Sequence, residues 1–219
     1  MRLRVTVEHG LEVIVPARFN AARVPVLLQQ RRHWIEAALG HAEAKRDALG
    51  YTGTWQLPAE IALPALDRRW RVTGVPAGTP VKVRALDETL IVSGRVDDES
   101  ACRAAMGRWL MRVAREHLSQ RLQALSARVQ LPYRGLSIRR QRSRWGSCSP
   151  THSISLNARL LFLPPALVDY VLVHELCHVK EMNHSRRFWA MVERHVPDFR
   201  ALDRALRDAW EQVPRWAAG

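Results

Sequence analysis

The sequence predicts an α+β protein, and three observations carry that prediction. Short β-type runs punctuated by glycine and proline crowd the first 96 residues, a long amphipathic helical pattern comes next, and two more strand-like runs precede a series of helices. The 219 residues divide accordingly into a β-rich N-terminal region with one helix, 1–96, and a second region, 97–219.

Residues 2–7 and 11–15 alternate apolar and polar side chains and read as two strands joined at His9-Gly10. Over 23–49 the apolar residues Val24, Leu27, Leu28, Trp34, Ile35, Ala38 and Leu39 recur at helical spacing, and Gly50 stops the pattern. Short β-type runs come after it at 69–75, 80–86 and 89–96, the last two forming a hairpin across Asp87-Glu88. DDES at 97–100 starts a helix that reaches about Ala127, with Trp109, Leu110, Val113, Leu118, Leu122 and Leu125 on its apolar face. LSIRRQRS (136–143) and SISLNARL (153–160) read as the strands of a hairpin around the turn-rich WGSCSPTH. Pro164-Pro165 suits the first turn of a helix running to about 182, which Asn183 ends in a left-handed conformation. Ser185 caps the next helix, which carries Phe188, Trp189 and Val192, and Pro197-Asp198 restarts a terminal helix through Trp210.

Composition excludes several classes. Apolar residues make up 47% and charged residues 25%, the balance of a soluble globular domain. No apolar run is long enough to span a bilayer, so no membrane role is expected, and the alternating start does not resemble a secretion signal. Cys102, Cys148 and Cys177 are odd in number and form no CxxC pair, which fits a reducing, cytoplasmic setting rather than a disulfide framework. The net charge of +13 raises a nucleic-acid reading, but the excess is spread over both regions. Its one local cluster is Arg139, Arg140, Arg142 and Arg144; on a strand the last three would share a face.

VLVHELCHVKEMNHSRRFW (171–189) places three histidines within eleven positions. His174 and His178, four apart on a helix, project from one face one turn apart. Two neutral imidazoles need that spacing to grip one tetrahedral zinc ion. Glu175 is rotated to the side, within reach of a metal-activated water without being a ligand, and HELCH fits the HExxH pattern. His184 stands just beyond the expected helix end and can return as a third ligand, with His195 as the reserve candidate. Cys177 reads as a small buried apolar residue rather than a ligand, and Cys148 as structural. His117 and His152 read as surface residues, and Trp145, Phe188 and Trp189 as core around the site.

RQRSRWGSCS, SISLNARLLFLP and DYVLVHELCHVKEMNHSRRFW together resemble the YgjP-like metallopeptidase family, itself related to SprT-like and WLM-type zinc proteases. The match is specific over about 136–200 and weaker before it. It implies a zincin-like catalytic domain over 97–219, a small sheet beside the HExxH helix, with one zinc ion per chain held by His174, His178 and His184. It implies Glu175 as the catalytic base in hydrolysis of a peptide or protein substrate. Glu181 stands where the metzincin pattern has glycine, so that pattern is not expected to carry over. Two residues are candidates for substrate binding: Tyr170, one turn before His174, as an oxyanion donor, and Asn157, on a strand 153–159 expected to be an exposed edge that pairs with the substrate. The alternative from another class is a nucleic-acid-associated, SprT-like protease or DNA-binding protein using the arginine face; the absence of a zinc ribbon and of a basic tail disfavours it.

Overall fold

Strand β1 (Arg2–Thr6) pairs antiparallel with β2 (Gly10–Ile14), setting Leu3 opposite Val13 and Val5 opposite Leu11. These strands belong to the first of two compact units, Met1–Thr54 and Trp55–Gly219, of a computed structural model that describes residues 2–6, 10–15, 19–20, 24–48 and 55–218. His9 of the expected turn and Gly50, the expected helix stop, lie outside the described residues. The single helix expected over 23–49 is two, α1 (Val24–Gln30) and α2 (Arg32–Ala48). They break at Arg31, whose N–H bonds Leu28 three residues back and so leaves the regular four-residue ladder.

The second unit opens with β3 (Glu60–Leu63), a 3₁₀ turn at Pro64–Leu66, β4 (Arg68–Pro76), β5 (Lys82–Leu86) and β6 (Thr89–Gly94). Their order is β3-β4-β6-β5, parallel between β4 and β6 and antiparallel elsewhere. Asp87, left-handed at φ 49°, makes the expected two-residue turn. Ile61, Leu63, Trp70, Leu90 and Val92 form the buried face of this sheet. That face is covered by α3 (Glu99–Val129), whose Trp109 meets Trp70 edge to face at 5.4 Å. Asp98 caps α3, accepting the Ala101 N–H at 2.9 Å, as DDES foretold. The compact units divide at 54/55, so the expected 96/97 boundary lies inside the second of them. Residues 55–96 share one hydrophobic core with the helices and the second sheet C-terminal to them, because α3 covers their apolar inner face.

A second, three-stranded sheet comprises β7 (Gly135–Arg139), β8 (Gly146–Cys148) and β9 (Ser153–Asn157) in the order β7-β9-β8. The runs at 136–143 and 153–160 do not form the expected hairpin: β7 is parallel to β9, and β8, hidden inside the turn-rich segment, is the antiparallel neighbour. Residues 140–145 carry the chain across from one side of β9 to the other. The strand expected as an exposed edge is thus the centre of the sheet, and β7 and β8 are its edges. Ile138, Ile154 and Leu156 turn inward.

After a 3₁₀ turn at Ala158–Phe162, α4 (Pro165–Cys177) packs on α3 and on β8. It ends five residues before the expected end, and Asn183 is not among the left-handed residues, which are Asp67, Asp87, Gln130 and His152 in the described chain. Bonds from Val179 to Leu176 and from Lys180 to Cys177 tighten its last turn instead. Helices α5 (Arg186–His195) and α6 (Phe199–Asp208) both pack on α4, followed by a 3₁₀ turn at Ala209–Gln212 and by α7 (Arg215–Ala218). No described helix is long and apolar enough to cross a membrane.

Candidate active site

His174, on the last turn of α4, and His178, at its C-cap, are joined by His184 from the loop before α5. One ring nitrogen of each lies within 4.8 Å of the others, the one such grouping of three potential ligands among the described residues. The Nε2 atoms of His174 and His184 are 3.1 Å apart. Two nitrogens held at 2.0–2.1 Å by one tetrahedral zinc ion lie about 3.3 Å apart, so this spacing fits a shared metal. His178 donates its Nδ1–H to the Glu181 carbonyl at 3.0 Å, which leaves Nε2 with a free lone pair aimed at the cluster. The early end of α4 is what brings that carbonyl within reach.

Helix α5 fixes the rings from the other side. Ser185 accepts the Phe188 N–H at 3.3 Å, and the capped first turn stacks Phe188 on His178 (4.4 Å) and Trp189 on His184 (5.5 Å). Burial, then the neighbouring imidazoles His178 and His184, drive the His174 pKa down to about 3. Burial also lowers that of His178. Neutral rings with available lone pairs are the form a cation requires.

Glu175, next to His174 on α4, turns towards β8 and is only 6% exposed. Burial pushes its pKa up to about 8 against the pull of Arg144. Its carboxyl lies against the backbone of β8: a Cβ on Gly146 would stand 2.7 Å from Glu175 Oε1 and 2.8 Å from Cγ. Glycine is thus required there for close approach rather than for its backbone freedom. A cavity of about 140 Å³ joins Glu175 and His174 to Trp145, Tyr170 and Asp203.

The model of the YgjP-like, metallopeptidase domain family matches residues 1–209. The chain belongs to the YgjP-like metallopeptidase family. It is accordingly a peptide hydrolase with a candidate metal centre at the three histidines. No curated protein matches it. Among solved structures it is similar to the metallopeptidase zymogen abylysin of Pyrococcus abyssi, at 24% identity and a TM-score of 0.37, covering 41% of this chain and 92% of that one.

In this YgjP-like chain the remaining candidates fare differently. Tyr170 is buried beside His174 and lines the small cavity, and its hydroxyl donates to Asp203 at 3.0 Å, which braces α6. Asn157 is fully buried. Its amide donates to the Gln141 and Arg144 carbonyls at 2.7 and 2.9 Å, and its oxygen accepts the Arg159 N–H. It fastens the 140–145 crossing. The arginine face does not form, because β7 ends at Arg139; Arg140 turns inward over Gly107 of α3, while Arg142 and Arg144 remain exposed. Cys177 is buried outside the histidine cluster, His195 does not join it, and His152 is a half-buried turn residue. Trp145 and Phe188 are core, as expected, and Trp189 is half-buried.

Three residues that matter here escaped the sequence reading. Gly146 carried one signal, a glycine inside WGSC, and Asp203 carried none. Arg159 is 1% exposed and donates to the Ala217 and Gln141 carbonyls, both at 2.6 Å, tying α7 to the 140–145 crossing.

Proposed function

We propose that the chain is a zinc-dependent peptidase in which His174, His178 and His184 hold one zinc ion and Glu175 is the general base. The observation that carries this is the convergence of three ring nitrogens within 4.8 Å beside a buried carboxyl whose pKa is raised to about 8. Zinc bound there supplies a Lewis acid that acidifies water and polarises a carbonyl oxygen. Glu175 would take the proton of the attacking water and return it to the departing amine. The His178–Glu181 bond holds one ligand ring in a single tautomer.

The substrate's backbone is bound by β8. Trp145 accepts the Asn157 N–H at 2.8 Å and Ser149 donates to Ser153 at 2.9 Å, so Trp145, Ser147 and Ser149 face β9. By the alternation of an antiparallel ladder, Gly146 and Cys148 turn their peptide groups to the free edge, where no described strand pairs. An extended peptide added there lies beside Glu175. The three cysteines are unpaired, which suits a reducing cytoplasm as the enzyme's location.

Elemental analysis and peptide cleavage by wild type, Glu175→Ala and His184→Ala test the reading together. About one zinc per chain in wild type and Glu175→Ala is expected, with cleavage in wild type alone and metal lost or much weakened in His184→Ala. A wild-type protein that takes up no zinc when it is offered sinks the proposal.

A further inference from the structure

The polar face of the three-stranded sheet takes no part in that mechanism, yet it is built around a groove of about 610 Å³. Ser137 of β7, Ser155 of β9 and Ser147 of β8 stand directly opposite one another at a single register and so share this face. Arg139, two residues beyond Ser137, and Gln141 and Arg144 from the crossing segment complete the wall, and no acidic residue lines it. Arg139 and Arg144 are exposed and form no ion pair among the described residues. The Ser155 hydroxyl and Gln141 Oε1 are buried without a hydrogen-bond partner. Buried polar groups in a folded protein are normally matched, and a ligand that brings both an acceptor and a donor would match these two. A carboxylate accepts from hydroxyls and guanidinium groups; a peptide N–H donates to the Gln141 oxygen.

The groove reaches Ser147 and Cys148 of β8. Along an extended chain paired to the free edge of β8, alternate side chains fall on opposite faces of the sheet. One set falls on the face where Glu175 meets Gly146, the other over Ser147 and Ser155. Arg144 stands two residues before β8 and lines the groove beside Ser147. We propose that this groove selects the substrate: it receives an aspartate or glutamate side chain flanking the scissile bond, with Arg144, Ser147 and Ser155 binding the carboxylate and Arg139 closing the far wall. The assignment rests on the peptidase reading for the position of the scissile bond, while the groove itself can be tested without turnover.

The zinc-loaded full chain is incubated with a proteome-derived peptide library, and its cleavage sites are read by mass spectrometry. Each exposed partial ion pair is worth a small factor, so two arginines should enrich Asp and Glu over Asn and Gln roughly tenfold at one fixed position. The enrichment should vanish in Arg139→Gln/Arg144→Gln and turn towards Lys and Arg in Arg144→Glu. Because each ratio is taken within one enzyme, changes in total activity do not enter it. No acidic enrichment, or enrichment that survives the double variant, overturns the proposal.

If wild type cuts nothing, the peptidase reading fails separately and the groove is tested by binding. Fluorescence anisotropy then compares a labelled glutamate-containing peptide with its glutamine counterpart on Glu175→Ala. Tighter binding of the former, lost when Arg139 and Arg144 become Gln, supports the groove; equal binding overturns it. A single-stranded oligonucleotide that displaces the peptide at lower concentration than the peptide itself overturns it in favour of a nucleic-acid site.

Discussion

The carboxyl of Glu175 lies so close to β8 that a methyl group on Gly146 would occupy its place. Gly146→Ala must therefore push Glu175 off its position while leaving the histidines untouched. Misplacing a catalytic group by about 1 Å costs on the order of 100-fold in rate, so kcat/KM should fall by about that factor with zinc content unchanged. Retention of full activity would show that the close approach has no catalytic meaning. The burial of Glu175 also has a pH signature in protein stripped of metal. The folded pKa is about 8 against an ordinary 4.5, so the folded state holds the proton more tightly than the unfolded chain does. Stability from this group is fully present below about pH 4.5 and is lost as pH rises through 8. Glutamine carries no such loss. Glu175→Gln should thus be no more stable than wild type at pH 4.5 and more stable by a few kcal/mol at pH 9, read by thermal unfolding of the two metal-free proteins. An equal gain at both pH values would contradict the sign.

At the scale of elements, the site is a meeting of three pieces: the last turn of α4, the capped first turn of α5 and the edge strand β8. The least self-sufficient is β8, three residues long, and what positions it is the segment before it. That segment is held by side chains rather than by a ladder, through Asn157 on the Gln141 and Arg144 carbonyls and Arg159 on Gln141. Asn157→Ala leaves the Arg144 carbonyl and the Arg159 N–H without that partner in a buried setting, while the Gln141 carbonyl keeps Arg159. A loss of about 2–3 kcal/mol in chemical denaturation is expected, with a lower kcat/KM because the crossing leads directly into Gly146. A loss well under 1 kcal/mol would mean that the crossing is held by other means.

At the scale of the molecule, α3 is the shared spine. One side takes the four-stranded sheet through Trp109 and Trp70, and its remaining surface packs against α4 and β7. The core cluster built on it draws every buried member from residues 61–217, and Trp55 closes its start by donating its indole N–H to the Val96 carbonyl at 3.1 Å. A chain beginning at Trp55 should therefore fold cooperatively and bind zinc in the same ratio as the full chain. Circular dichroism melting and metal analysis of residues 55–219 check this; an aggregated or non-cooperative product would place part of the folding information in the first unit.

The histidine site was legible in the sequence because its logic is local. A four-residue spacing on a helix puts His174 and His178 on one face whatever surrounds them, and His184 comes within a span too short to wander. The capping residues Asp98 and Ser185 were legible for the same reason, since a cap acts within three residues. What only the tertiary structure decided acts across the chain. WGSC looks like a turn until β9 offers it a ladder, and Gly146 looks like loop punctuation until the carboxyl of Glu175 fills the space where its side chain would stand. The parallel pairing of β7 with β9, the inward turn of Arg140 and the burial of Asn157 result from which surfaces remain to be covered once α3 and α4 have packed. Periodicity and capping are properties of consecutive residues, whereas burial and close approach depend on residues that meet only after folding.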